Sequence, residues 1–369
     1  MIGPFPQAEF LELHEHLALT PGPSNAEGPR RDLLRQFLAG HGVTAAVDAI
    51  GNLRATLGPQ APWSQTLVLD AHLDVVERGN ALHVVRTAEC LQGLGVGDNL
   101  TAVTMLALAL VRLQAQSGAL SRPLLALFSV GEEGLGNLRG VRHLVAQHAE
   151  APWLLVSFDG SSDGYSVTAL GSRRYRLAVA CPGGHSWSSF GAPNAIEVLV
   201  EALAEIKARW QEARNGNPVP FSFNVGTIRG GEGINSIARE AEATFEFRSV
   251  SEALLKAMHG VASRVAEAAG RQADVSVDFA CIGERPAAAP VDPERVTSLV
   301  LPAWEPLKVA LSDRPMSTNI NPALAAGWPA ICIGLCSARH THREDETVLL
   351  SSLAPGWGCL DRLCARLLG

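Results

Sequence analysis

Lysine is scarce in this chain of 369 residues: only Lys207, Lys256 and Lys308 occur among 30 basic residues. The chain also lacks a long run of basic residues, and its formal net charge is −7. An acidic balance without a basic cluster argues against nucleic acid as the main partner. The shortage of lysine itself is attributed to coding bias in the source and carries no functional information.

No stretch of about 18 uninterrupted apolar residues occurs, so the sequence predicts no membrane span. The first residues do not combine a basic start with a long apolar run, and a secretory signal peptide is therefore not expected. The seven cysteines are scattered, without CxxC or the paired Cys/His spacing of zinc fingers. Free thiols in a reducing compartment are expected, so the predicted location is the cytoplasm.

Short apolar segments alternate with helical patterns in the first half of the chain. Residues 66–74, 123–130 and 152–159 have strand-like patterns, and residues 101–116 have a helical one. Apolar strands that alternate with helices indicate a largely parallel sheet with helices on both faces. The predicted fold class is therefore α/β, with a mixed, largely parallel sheet.

A different pattern interrupts this α/β texture. Four strand-like segments alternate polar and apolar residues, and helical patterns lie between them at 194–213 and 251–270. This composition indicates a compact α+β insert at residues 172–284. The predicted organisation is a catalytic metal-binding domain formed by residues 1–171 and 285–369, interrupted by the inserted domain.

Acidic and histidine motifs follow the apolar strands, which is where open α/β sheets gather ligands. These motifs supply His72 and Asp74 in LDAHLDVV, Asp98 in GLGVGDN, Glu132 and Glu133 in SVGEEG, Asp159 in SFDG, and His340 and His342 in ARHTHREDETV. Each motif taken alone also has an ordinary structural interpretation.

His72 and Asp74 are two residues apart, and side chains at this spacing on a strand point to the same face of the sheet. If His72 binds a metal, Asp74 can therefore accept its second ring N–H. A buried His–Asp pair without a metal fits the motif as well. Asp98 could instead cap the helix that follows it, and Asp159 could form an Asp-Gly turn. The adjacent glutamates suit one metal ligand and one general base, or simply a solvated loop.

Two histidines, two aspartates and one glutamate would serve two divalent ions about 3.5–4 Å apart through a shared carboxylate. Imidazole combined with carboxylates suits zinc, with cobalt or manganese as alternatives.

In this order, the motifs resemble the cocatalytic zinc metallopeptidase family of peptidase T, carboxypeptidase G, aminoacylase and succinyl-diaminopimelate desuccinylase. The match runs from PSNAEGPRRDLL to HREDETVLLSSL. The resemblance implies a zinc-exopeptidase-like α/β domain and an inserted ferredoxin-like domain that serves as lid and in dimerisation.

The resemblance implies that His72 and Asp159 bind one ion and that Glu133 and His342 bind the other. It implies that Asp98 bridges the two ions. It also implies that Asp74 orients His72 and that Glu132 is the general base.

The late histidine ligand has two candidates. The family segment reads His, three residues, Glu, one residue, Val, and His342, Glu346 and Val348 fit that spacing. Starting from His340 would place Glu346 where the Val belongs. His342 is therefore the predicted ligand, and His340 is interpreted as a neighbouring polar residue.

In the insert, the resemblance implies that His185 reaches the substrate carbonyl, that Asn235 lies in a substrate-binding loop, and that Arg248 binds a substrate carboxylate. Their ordinary alternatives are a surface loop histidine, a turn asparagine and a surface strand cation. A homodimer through the insert is implied as well. The chain departs from the family at Asn319, where an acid is usual, so a charge role there is in doubt.

These features predict a metal-dependent hydrolase that cleaves an amide bond in small peptides as an exopeptidase, through a metal-bridging water with Glu132 as general base. Asp159 favours a peptidase, because deacylases of the family tend to carry Glu there. An N-acyl-amino-acid deacylase on the same site is the nearest alternative, with an acylated amino acid as substrate. A metal-free binding protein on this scaffold is the alternative from another class.

Overall fold

The computed structural model describes residues 2–76 and 82–369. The chain divides into two compact units, Met1–Ala169 with Ala289–Gly369, and Leu170–Ala288. The transitions therefore fall at 169/170 and 288/289, a few residues from the predicted 171/172 and 284/285.

The α-helices of the described residues are α1 (Gln7–Leu19), α2 (Gly28–Gly40), α3 (Leu100–Gln114), α4 (Arg139–Ala146), α5 (Ala195–Arg214), α6 (Glu252–Ala269), α7 (Pro293–Val300), α8 (Ile320–Ala325) and α9 (Leu350–Leu368). The strands are β1 (Ala45–Val47), β2 (Leu53–Leu57), β3 (Leu67–His72), β4 (Val85–Arg86), β5 (Cys90–Gln92), β6 (Leu124–Ser129), β7 (Leu154–Phe158), β8 (Gly164–Ser166), β9 (Gly171–Ala180), β10 (Gly184–His185), β11 (Phe221–Gly230), β12 (Ser236–Ile237), β13 (Glu240–Ser249), β14 (Ser276–Arg285), β15 (Ser312–Asp313), β16 (Ala330–Ile333), β17 (Ala338–Arg339) and β18 (Thr347–Leu349). Within the described residues, none of these helices has the length and apolar character of a membrane-spanning segment.

An eight-stranded sheet forms the centre of the first unit, in the order β1-β2-β6-β3-β7-β16-β8-β15. Strands β6, β3, β7 and β16 run parallel to one another, and every residue in them is buried. Antiparallel pairs join β1 to β2, β2 to β6 and β16 to β8. The predicted mixed, largely parallel sheet is confirmed.

Buried parallel strands need cover on both faces, and β3 shows how the sequence supplies it. Leu69 and Ala71 belong to the apolar core that includes α3, a helix buried over most of its length. Asp70, between them, points to the opposite face, where Asn319 just before α8 donates a hydrogen bond to it. Alternation along one strand therefore separates an apolar face from a polar contact.

The parallel register brings three strand ends to one edge of the sheet: β3 ends at His72, β6 at Ser129 and β7 at Phe158. The location of His340 and His342 differs from the sequence-based expectation that they follow an apolar strand of the central sheet. They do not follow β16 directly, because β16 ends at Ile333 and the hairpin between β17 and β18 carries both His340 and His342. This hairpin belongs to a separate small sheet, β17-β18-β5-β4.

The second unit has the chain order β9-α5-β11-β13-α6-β14, with β10 and β12 as an additional short pair. Its four-stranded sheet has the order β11-β13-β9-β14, and all three pairings are antiparallel. Buried and more exposed residues alternate along β13, and α5 and α6 share an apolar core with the sheet. This topology is ferredoxin-like, as predicted.

Candidate metal centre

His72, the last residue of β3, is buried beside two carboxylates. Its Nε2 lies 3.0 Å from Asp98 Oδ1 and 4.0 Å from Asp159 Oδ2. Asp159 directly follows β7, and its Oδ1 also accepts the N–H of Gly160 at 2.6 Å. We call His72, Asp98 and Asp159 the His72 site, because their ligand atoms lie within metal-binding reach of one another.

The second oxygen of Asp98 faces the late histidine. His342 Nε2 lies 3.2 Å from Asp98 Oδ2 and 2.8 Å from Glu133 Oε1. We call Asp98, Glu133 and His342 the His342 site. His340 lies 3.1 Å from Asp345 Oδ2 instead, and no ligand group found in residues 2–76 and 82–369 includes it.

Asp98 is thus shared by the two sites, one oxygen to each. The alternative role as a helix cap is not supported, because the residue that precedes α3 is Asn99, and within the described residues its side chain forms no capping hydrogen bond. The peptide bond between Asp98 and Asn99 is cis.

Three ligand atoms are close to a partner atom without forming a hydrogen bond. His72 Nε2, Asp98 Oδ1 and Glu133 Oε1 are buried and have no hydrogen-bond partner among the residues that the structure describes, although the N···O distances at these atoms are as short as 2.8 and 3.0 Å. Two ligands that each lie about 2.0–2.2 Å from one ion are themselves roughly 3–3.5 Å apart. The atoms are therefore spaced as ligands of a common cation, and the donor set suits zinc, cobalt or manganese.

The two sites and their immediate surroundings contain five carboxylates and two imidazoles. The carboxylates are those of Asp74, Asp98, Asp159, Glu132 and Glu133. Burial raises the pKa of Asp159 well above its usual value, and the nearby Asp98 raises it further. Contacts with Asp98 and Glu133 raise the pKa of His342 to about 10. The cluster is therefore short of positive charge, which divalent cations would supply.

Asp74 faces His72 both with its carboxylate and with its main-chain oxygen. Its Oδ1 is 3.6 Å from His72 Nδ1, too far for a hydrogen bond, and the nearer acceptor is the carbonyl oxygen of Asp74 at 3.0 Å. The Asp74 carboxylate instead accepts the N–H groups of Glu132 and Glu133 at 2.9 and 2.8 Å and the hydroxyl of Ser24 at 2.7 Å. The carboxylate thus also holds the glutamate loop, and the main-chain oxygen is the nearer of the two Asp74 partners of His72.

The glutamate loop is fixed from its other side by Glu27, which the sequence analysis did not select. Glu27 is buried, accepts the N–H of Gly131 at 2.9 Å and forms an ion pair with Arg139 at 2.6 Å. Glu132 is also buried and forms a possible ligand group with His72 and Glu133. Its position suits either a base or a ligand. Glu27 lies in the PSNAEG segment that carried the resemblance, but nothing in that segment specifies its contacts.

In the second unit, pairing of β10 with β12 brings His185 and Asn235 together, and Ser186 N–H donates to the carbonyl oxygen of Asn235 at 3.0 Å. His185 Nδ1 accepts the N–H of Trp187 at 3.2 Å, so the neutral ring carries its proton on Nε2. Arg248 is not part of this pair. It lies on β13, where its Nε is 2.7 Å from Glu246 Oε1.

Asn319, at the position where the family usually has an acid, faces a buried acid that the sequence analysis also missed. Its Nδ2 donates to Asp70 Oδ2 at 2.9 Å and to Ser129 Oγ at 2.8 Å. Asp70 also accepts the hydroxyl of Ser157 at 2.7 Å. A carboxylate is therefore present in this contact, but on β3 and not at position 319.

Two adjacent ligand groups that share an aspartate at the strand ends of an α/β sheet are typical of hydrolases with two metal ions. Comparison with known proteins agrees. Residues 52–167 match the family described as peptidase family M28, and residues 168–273 match the peptidase dimerisation domain of M20 peptidases.

Relatives with similar sequences include an M20 peptidase domain-containing protein of Schizosaccharomyces pombe, 26% identical over 63% of this chain and 58% of its own. Succinyl-diaminopimelate desuccinylase of Halorhodospira halophila is 28% identical over 64% of this chain and 67% of its own. The succinyl-diaminopimelate desuccinylase of Xanthomonas campestris strain B100 is 31% identical over 54% of this chain and 56% of its own. The matches thus span between about half and two thirds of these relatives.

Solved structures match over almost the whole chain. The aminopeptidase PepT of Bacillus cereus has a TM-score of 0.73 at 17% identity, covering 99% of this chain and 100% of its own. A tripeptidase of Staphylococcus aureus has a TM-score of 0.76 at 17% identity, covering 98% of both chains. At such identities these structures establish the fold. The two family matches and the sequence relatives show that this chain is similar to peptidases and amidohydrolases of the M20 and M28 families.

The contact between Asp70 and Asn319 predicts that exchanging the acid and the amide between the two positions costs less stability than changing Asn319 alone. Asn319→Asp should lower the free energy of unfolding by about 3 kcal/mol, because a second buried carboxylate would face Asp70 in place of an N–H donor. The double variant Asp70→Asn/Asn319→Asp restores an acid–amide pair with the positions exchanged. It should recover more than half of that loss in urea unfolding. A double variant as unstable as Asn319→Asp would show that the pair is not what matters.

Proposed function

We propose that this protein is a two-metal exopeptidase that hydrolyses an amide bond in small peptides, with zinc as the first candidate metal and cobalt or manganese as substitutes. One observation carries the proposal: Asp98 divides its two oxygens between His72 and His342. Asp159 and Glu133 complete the two ligand sets.

His72, Asp98, Asp159, Glu133 and His342 would hold the divalent ions, which would lower the pKa of a bound water molecule and polarise the substrate carbonyl. Glu132 accepts the proton of that water and passes it to the leaving amine, as a general base and then a general acid. Asp74 contributes by fixing the backbone N–H of Glu132, so that the side chain keeps its position during proton transfer.

Three residues of the second unit are proposed to act on the substrate. His185 carries its proton on Nε2 and donates it as a hydrogen bond to the carbonyl oxygen, which becomes negative in the transition state. Asn235, paired with His185 through β10 and β12, and Arg248 bind a terminal carboxylate. The similar structures include a tripeptidase of Staphylococcus aureus and a human carnosine dipeptidase, and this likeness supports small peptides as substrates.

A second candidate, an N-acyl-amino-acid deacylase, is favoured by the desuccinylases among the sequence relatives. Both reactions break an amide bond by the same chemistry, and the substrates differ only in the acyl group. Asp159, in the position where deacylases of the family tend to carry Glu, favours the peptidase.

Glu132→Ala should lower kcat by about 10²–10⁴-fold, because the proton transfers lose their acceptor and donor. Metal analysis should still find two ions per chain, as in the wild type. The matched variant Glu133→Ala removes a proposed ligand and should lose an ion. Loss of metal from Glu132→Ala as well would identify Glu132 as a ligand. A folded wild type that holds no divalent ion would instead favour a metal-free binding protein.

A substrate panel separates the two candidate reactions. Dipeptides and tripeptides are assayed beside N-acetyl and N-succinyl amino acids, each with zinc, cobalt and manganese. The peptidase proposal predicts that kcat/KM is at least tenfold higher for the best peptide than for the best acyl-amino acid. The reverse order would establish the deacylase in its place.

The second unit is proposed to form a homodimer, as its match to a peptidase dimerisation domain suggests. Strand β11 lies at the edge of its sheet and exposes Val225 and Ile228, and such an edge can pair with another chain. Light scattering should give twice the 39.0 kDa mass of one chain. Ile228→Lys should shift the protein toward monomer, whereas Val309→Lys, at an exposed position of the first unit, should not. A wild-type monomer would refute the dimer.

A further inference from the structure

Glu346 is a fully buried acid to which the proposed hydrolysis gives no role. Its Oε1 accepts the backbone N–H groups of Gly97 and Asp98 at 2.7 and 2.8 Å, and its Oε2 accepts that of Gly95 at 3.1 Å. Its carbonyl oxygen accepts the N–H of Gly93 at 2.9 Å. One residue therefore binds four N–H groups of the loop that ends at Asp98, the carboxylate shared by the two sites.

Glu346 also belongs to the hairpin that carries His342. Its own N–H donates to the carbonyl oxygen of Arg343 at 3.1 Å, and Arg343 N–H donates to that of His340 at 3.0 Å. Strands β17 and β18, which flank this turn, have only two and three residues, so their ladder contributes few hydrogen bonds. The position of His342 relative to Asp98 therefore depends strongly on Glu346.

The contact between Glu346 and the Asp98 loop is closely packed. A Cβ atom at Gly97 would lie 3.0 Å from Glu346 Oε1 and 2.7 Å from the Cβ of Ala338. Only glycine at this position lets the loop approach both the carboxylate and β17. The loop and the hairpin thus fit together through a contact that leaves no space for a side chain.

We propose that Glu346 is a positioning residue that holds Asp98 and His342 at the spacing required by the His342 site, so that its loss weakens the binding of one ion much more than that of the other. This inference rests on the proposed two-metal function. His72 and Asp159 are held by β3 and β7, which pair without Glu346. The His72 site therefore keeps two of its three ligands in place when Glu346 is lost.

Calorimetric titration of the chelator-stripped full chain with Zn²⁺ tests the proposal without measuring activity. Glu346→Gln keeps the size of the side chain but replaces one acceptor oxygen by an NH₂ group, which cannot accept the backbone N–H groups of the Asp98 loop. One ion should lose less than about threefold in affinity, and the other should bind about 10- to 100-fold more weakly. The weakened step should be the one that His342→Ala removes. Glu346→Asp retains the charge and should restore part of the affinity.

Asp48→Asn is the matched control. Asp48 Oδ1 accepts the N–H groups of Ile50, Gly51 and Asn52 at 3.1, 3.1 and 3.0 Å, in a loop that bears no proposed ligand. Its loss should leave both zinc affinities unchanged, even if it lowers the melting temperature of the stripped protein. Gly97→Ala disturbs the Glu346 contact from the other side and should weaken the same ion as Glu346→Gln.

Wild-type affinity for both ions in Glu346→Gln, or equal weakening of both ions, would overturn the positioning role. If Glu346→Gln does not fold, as judged by circular dichroism, Gly97→Ala decides the question by the same criterion. A wild type that binds no zinc defeats the two-metal function and this inference together. If the wild type binds two ions and Glu346→Gln binds both with wild-type affinity, the inference about Glu346 is wrong and the two-metal function stands.

Discussion

The parallel pairing of β3 with β6 and β7 is the constraint on which the metal centre depends. His72 lies opposite Ser129, and Asp70 lies opposite Ser157. Because the strands run in one direction, the segments that follow them emerge at one edge of the sheet. The glutamate loop after β6 and Asp159 after β7 therefore lie close to His72. A slip of one residue in either pairing would turn His72 away from this edge.

A cluster of acids at one sheet edge is unfavourable by itself, and the backbone offsets part of the cost. Asp74 accepts two N–H groups of the glutamate loop, and Glu346 accepts three from the loop of Asp98. These carboxylates hold the main chain, whereas those of Asp98, Glu133 and Asp159 face the histidines. The acids thus have two separate tasks, one in holding the loops and one in offering ligand atoms.

The resemblance explains why roles could be assigned from sequence to the ligand residues and not to the supporting acids. His72, Asp98 and Asp159 lie in short motifs that are visible locally, and the order of these motifs along the chain carries the resemblance. Glu27, Asp70 and Glu346 support the centre through contacts with residues 104, 249 and 251 positions away. No local pattern encodes such contacts. For the same reason, the sequence suggested the carboxylate of Asp74 as the partner of His72, when the main-chain oxygen is nearer.

By itself, the sequence determined the α/β class, the α+β insert and the candidate ligand motifs, because apolar periodicity and strand-end motifs act over a few residues. The family resemblance implied the ferredoxin-like topology of the insert. The tertiary structure alone decided which oxygen of Asp98 faces which histidine, and that a hairpin of the small sheet carries His342. It also placed Asp70 against Asn319, the position where the family usually has an acid. These features depend on how distant segments pack, and packing brings together residues whose separation along the chain carries no periodic signal.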